Sequence, residues 1–165
     1  MERRPAMHSA GPLPAPEELL LMAREVGHDY PRWRSRLTAP ADEGSWVRLF
    51  RAGPLGIWAV DWDRVPPGTC YLDHERVRGA VWVARGALAH ECARFGSAPR
   101  TTRVPAASGF CFDETFYHRM RALDDAGPTV TVHVFASLLP PPPPGAPLTA
   151  TALHLPSGPP GDTTG

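Results

Sequence analysis

Five consecutive prolines, Pro140 to Pro144, constrain this chain more than any other feature of its sequence. Proline has no backbone N–H and a fixed φ, so such a run adopts polyproline II and joins neither a helix nor a sheet. The fold is therefore expected to close by residue 139. Nine of the 21 prolines lie from Pro140 onward, while Pro5, Pro12, Pro14 and Pro16 break up the other end. Three regions are expected: a flexible N-terminus over 1–14, one folded domain over 15–139, and a proline-rich disordered tail over 140–165. No basic residue flanks the proline run, which favours disorder over a polyproline ligand.

Within the folded part the pattern changes once. Residues 17–26 are mostly good helix formers, entered after a proline with acids in the first turn, and Gly27 is expected to stop that helix. A second short helix is expected over Pro31–Leu37. From there on the chain reads as short β-rich runs: Ser45–Phe50, Gly56–Trp62, Arg78–Ala84, Ala87–Phe95, Gly109–Phe112 and Thr129–Ala136. The breaks between them include RAGPLG, DRVPPG, GSAPRTT and LDDAGP. Short strands at this spacing with Gly/Pro turns predict an all-β sandwich or barrel, here with helices in front of it.

Charge narrows the functional classes. Seventeen basic residues balance 17 acidic ones, so nothing favours nucleic acid or an anionic membrane surface as a partner. No apolar stretch approaches the roughly 18–20 residues that a membrane span needs. The N-terminal residues have no apolar core of the kind a secretory signal carries. Cys70, Cys92 and Cys111 are odd in number and widely spaced, which argues against a disulfide framework and for a reducing, cytoplasmic setting. Cys92 and Cys111 read as small core residues. Every basic residue is arginine, a codon bias of GC-rich genomes rather than a binding signal. The expected partners are small molecules, and the expected state is a monomer or small homo-oligomer.

Seven histidines carry the remaining information. His8, His28 and His154 read as surface residues. His74, His90, His118 and His133 fall in the β-rich region, where an imidazole needs a partner. In Thr129–Ala136 the two-residue period puts Val130, Val132 and Val134 on one face and Thr131, His133 and Phe135 on the other. A Thr-x-His stripe opposite a valine stripe suits a strand lining a cavity. Around His74, the same period puts Cys70, Leu72 and His74 on one face. Metal ligands in a barrel come from separate strands, so wide sequence separation is no obstacle, and imidazole suits iron, nickel, copper and zinc alike.

Taken in order, Trp46-Val-Arg48, Gly56–Trp62, Pro67-Gly68, Leu72-Asp73-His74, Gly79 through Arg85-Gly86, His118-Arg119 and Thr131-Val-His133 resemble the cysteine dioxygenase branch of the cupins. The resemblance covers about residues 46–139 and implies an all-β cupin barrel, a small jelly roll, with N-terminal helices. It implies a non-haem metal-dependent oxygenase acting on L-cysteine or a related small thiol with O2. The family holds Fe(II) through three histidines, two of them in an HxH motif. By position, His74 is the second of that pair and His118 the third ligand. Arg48 falls on the arginine that binds the substrate carboxylate, and Thr131, His133 and Phe135 fall on a Ser-His-Tyr relay.

Two departures stand out. The first HxH histidine is Leu72, and the relay tyrosine is Phe135. Cys70, Tyr71, His90 and Glu91 are candidates to fill the vacant ligand position, with His90 ranked first. Fewer imidazoles loosen the expectation of iron and admit Ni(II) or another divalent transition metal. An outcome other than plain sulfinate is expected, such as further oxidation or sulfur–nitrogen bond formation, fitting specialised metabolism. The expected site is thus His74, His90 and His118 on the metal, Arg48 on the substrate, and His133 with Thr131 as catalytic residues. The rival expectation is a cupin that has lost catalysis and serves as a binding or regulatory module.

Overall fold

The computed structural model of the chain describes residues 12–38, 46–66, 71–73, 77–94 and 96–137, with 71–73 through their backbone. The expectations for residues 1–11 and for the tail from 140 fall outside these residues, as does the assignment of His74.

Helix α1, Pro16–His28, opens with a proline in its first turn and two acids, Glu17 and Glu18. The Glu18 carboxylate accepts the backbone N–H of Ala15 at 2.7 Å, covering one of the donors that every helix start leaves open. Leu19, Ala23 and Gly27 recur four residues apart and form its buried stripe. Gly27 does not end the helix. A Cβ there would lie 2.2 Å from Cδ1 of Trp82, so the glycine permits helix and sheet to approach closely. The second expected helix is present as α2, Tyr30–Trp33, continued by a 3-10 turn over Arg34–Leu37.

Nine strands follow among the described residues: β1 Trp46–Ala52, β2 Leu55–Asp61, β3 Tyr71–Asp73, β4 Arg78–Arg85, β5 Ala87–Arg94, β6 Arg100–Pro105, β7 Ser108–Phe112, β8 Phe116–Ala122 and β9 Val130–Ala136. They form two antiparallel sheets, ordered β1-β2-β9-β4-β7 and β3-β8-β5-β6. Strand β6 falls where the sequence suggested a break. Its residues Arg100-Thr-Thr-Arg are exposed and only Val104 is buried, so this edge strand carries no apolar alternation to read.

Two apolar clusters account for the layering. Val130, Val132 and Val134 join Leu19, Ala23, Ile57, Ala59 and Ala80, so the valine face of β9 packs beneath α1 on the outside of the barrel. Each fully buried valine contributes about 2 kcal/mol of apolar burial. The opposite faces of the sheets enclose Val60, Trp62, Val81, Val83, Leu88, Val104, Phe112 and Met120, drawn from both sheets. Thr131 and His133 stand on this inner side of β9, each with no exposed surface. Gly86, at φ 77°, is the single residue between β4 and β5, the strand that carries His90.

Candidate metal centre

Strands β5 and β8 lie side by side, with His90 opposite Met120 and Cys92 opposite His118. Opposed residues of an antiparallel pair share a face, and so do residues two apart on one strand. His90, Cys92, His118 and Met120 therefore occupy one inner patch of the smaller sheet. Glu91 and Arg119, the residues between them, are opposed on the other face and form an ion pair at 3.6 Å. His90 thus points into the barrel and Glu91 does not.

Nε2 of His90 lies 2.8 Å from Nδ1 of His118, with the rings nearly parallel. Phe110 stacks on His90 at 3.6 Å between ring centroids, and Phe112 stands 4.3 Å from His118. This aromatic enclosure leaves His118 2% exposed and His90 9% exposed. Desolvation by burial lowers both imidazoles to about 4, and for His118 the nearby His90 adds to the effect. Both rings are therefore neutral at pH 7, so one of the two facing nitrogens donates and the other accepts. In either arrangement Nε2 of His118 is buried without a hydrogen-bond partner.

These features meet the requirements of a transition-metal site. Each neutral imidazole carries one lone pair that an ion could take in place of the shared hydrogen bond, and an orphaned buried nitrogen costs stability that a bound ion would recover. One donor atom from each of His90, Cys92 and His118 lies within 4.8 Å of the others. Cys92 was not recognised as a site residue in the sequence, although the spacing His90-x-Cys92 on a strand was the available signal. The backbone of β3 places Asp73 opposite His118 and Leu72 opposite Arg119. It is therefore Asp73, not Leu72, that takes the register position beside the histidine pair.

The larger sheet contributes a second polar group. The Nε1–H of Trp62 donates to Oγ1 of Thr131 at 2.9 Å, and Oγ1 lies 2.8 Å from Nε2 of His133. The hydroxyl has a second lone pair as well as its own proton, so it satisfies His133 Nε2 in either tautomer of the ring. Complete burial pushes His133 down to about 3, so the ring is neutral. Its Nδ1 has no partner, and Phe135, next along this face with its ring centre 5.9 Å away, offers no acceptor. Trp46 closes over His133 at 4.8 Å. The part of Trp62 left no trace in the sequence, because it depends on a contact across 69 residues.

Arg48 is joined to this group by the sheet. Register runs from Arg48 to Trp58, His133, Val81 and Phe110 in one cross-strand row. Arg48 is exposed on the edge strand, its guanidinium carbon 5.8 Å from the ring centre of buried Trp58. A register irregularity follows it between Arg48 and Phe50, and Arg36 donates to the Arg48 carbonyl at 2.7 Å.

No protein-family model and no curated protein matches the sequence. Solved structures match in shape. A Bacillus halodurans protein is 12% identical over 70% of this chain and 80% of its own, with a TM-score of 0.52. KdgF from Halomonas sp. is 21% identical over 59% of this chain and 82% of its own, at 0.45. Hydroxypropylphosphonic acid epoxidase from S. wedmorenis is 17% identical over 57% of this chain, at 0.47, and the chain spans about half of that enzyme's length. At these identities the likeness is one of fold. The architecture is the cupin barrel with N-terminal helices that the sequence predicts. Among the described residues no helix is long and apolar enough to cross a membrane.

Proposed function

We propose that this protein is a metal-dependent cupin oxygenase that oxidises a small thiol with O2, L-cysteine being the first substrate to test. The observation that carries the reading is the buried, neutral His90–His118 pair with an unpartnered nitrogen inside the barrel. His90 and His118 hold one divalent transition ion; the sequence resemblance, which assigns His74 as a ligand as well, suggests Fe(II) with Ni(II) as the alternative. The ion supplies Lewis acidity that holds the substrate thiol deprotonated, and one-electron chemistry toward O2.

The chain's own residues bind and orient. Arg48 grips the substrate carboxylate with two parallel hydrogen bonds, a role that suits a guanidinium at the rim of the barrel. Thr131 holds His133 through Nε2, which leaves Nδ1 as a dry, unpartnered ring nitrogen for substrate or product. The aromatic rings of Trp46, Phe110 and Phe112 exclude water from these groups. Sulfinate formation balances as RSH + O2 giving RSO2H. With Phe135 in place of a phenol, the oxidation is expected to end in a different product.

A metal-reconstitution screen tests the reading. Metal-free protein is loaded with Fe(II), Ni(II), Co(II), Cu(II), Mn(II) or Zn(II), and O2 uptake with L-cysteine is followed beside product mass. Turnover with one ion is expected. Protein that binds an ion but consumes no O2 with any thiol is a binding module and not an oxygenase.

A further inference from the structure

The sequence resemblance supplies only imidazoles as metal ligands, but the barrel places a thiol among them. Cys92 is directly opposite His118 and two residues from His90, and its sulfur belongs to the same 4.8 Å group of donor atoms. We infer that Cys92 is a thiolate ligand of the His90–His118 centre, making it a site for a soft or borderline ion rather than an all-imidazole iron site. The inference rests on the reading of His90 and His118 as metal ligands and adds the residue that decides which ion they hold.

Three observations support it. The first is the unpartnered Nε2 of His118, on a residue 2% exposed, which marks an unfilled requirement in this patch. The second is the contrast with Cys111, which lies opposite Ala80 and packs with the outer cluster beneath α1. The third is Met120, opposite His90 and 1% exposed, which brings a thioether to the neighbouring register position. Two sulfurs beside two imidazoles favour copper, zinc, cobalt or nickel over the oxygen-seeking ions.

Binding is a proton exchange. Cys92 binds an ion as a thiolate, so its thiol gives up a proton on binding. The sulfur–metal bond forms as the S–H bond breaks, one proton leaves to solvent, and no electron is transferred. A divalent ion with one thiolate and two neutral imidazoles keeps a single positive charge, which a substrate thiolate would neutralise inside the barrel.

Anaerobic titration of the metal-free full chain with Co(II) tests the inference, read by absorption rather than turnover. One equivalent is expected to bind with a near-ultraviolet thiolate-to-cobalt charge-transfer band. Cys92→Ser should lose the band and weaken cobalt binding at least tenfold, the low end of what even an outer ligand partner is worth. Cys70→Ser and Cys111→Ser should keep the band. Its survival in Cys92→Ser, or its loss in Cys70→Ser, overturns the assignment. Cobalt bound by the wild type without the band removes Cys92 and leaves the histidine centre standing. No cobalt bound at all removes both.

Discussion

Nε2 of His90 and Nδ1 of His118 are in hydrogen-bond contact at 2.8 Å, with their ring planes 6° apart. The facing nitrogens share a single proton, and both rings stay neutral at pH 7 where charge is poorly solvated. Phe110 and Phe112 impose that condition by keeping water away. The pair is therefore poised as neutral donors inside the barrel, and the same burial makes it a point of acid weakness.

Acid should destabilise the metal-free protein in a defined window. His90 and His118 are lowered to about 4 and His133 to about 3, against an ordinary value of 6.5. The unfolded chain thus binds more protons than the native one below pH 6.5, and stability rises with pH there. It is fully present above 6.5 and is lost as pH falls toward 4. Each unit of separation is worth about 1.4 kcal/mol, so a loss on the order of several kcal/mol is expected between pH 7 and pH 4.5. Urea unfolding at the two pH values reads it, and equal midpoints would contradict the burial of these rings.

Thr131→Val keeps the shape of the side chain and removes its hydroxyl. The indole N–H of Trp62 and Nε2 of His133 then lose their shared partner inside the core. A cost of about 1–3 kcal/mol is expected, measured by denaturant unfolding of the metal-free protein. A neutral substitution would mean that water replaces the hydroxyl.

Phe135→Tyr offers the missing phenol beside His133, whose Nδ1 is unpartnered. The variant is expected to shift the products of L-cysteine oxidation toward the sulfinate. Mass analysis after single-turnover reaction decides it. An unchanged product ratio would show that this aromatic position does not control the outcome.

Arg48→Ala should raise KM for L-cysteine at least tenfold, consistent with the roughly 1.5–3 kcal/mol of a hydrogen bond to a charged group, while kcat changes less. Arg36→Ala should give a smaller rise, because Arg36 holds the backbone carbonyl of Arg48 and not the substrate. Steady-state kinetics with cysteine and cysteamine separate the two roles. Cysteamine has no carboxylate, so its KM should be indifferent to both changes.

Part of this arrangement was written in local pattern. The alternation of Thr129–Ala136 separates the valine face from the Thr131 and His133 face, because the period of a strand is two and each face meets a different environment. The run of helix formers over residues 17–26 is equally local. Gly27 does not stop the helix, because its small size serves a contact with Trp82, 55 positions away in the chain.

What the tertiary structure alone decided is which residues meet. Sequence spacing gives the face of His90 and of His118 but not their pairing, which depends on the register between β5 and β8. That register brings Cys92 opposite His118 and turns Glu91 outward to Arg119. It also places Asp73 rather than Leu72 beside His118 through β3. A shift of one residue in any of these pairings would exchange inner and outer faces, so local chemistry proposes the donors and long-range strand pairing selects among them.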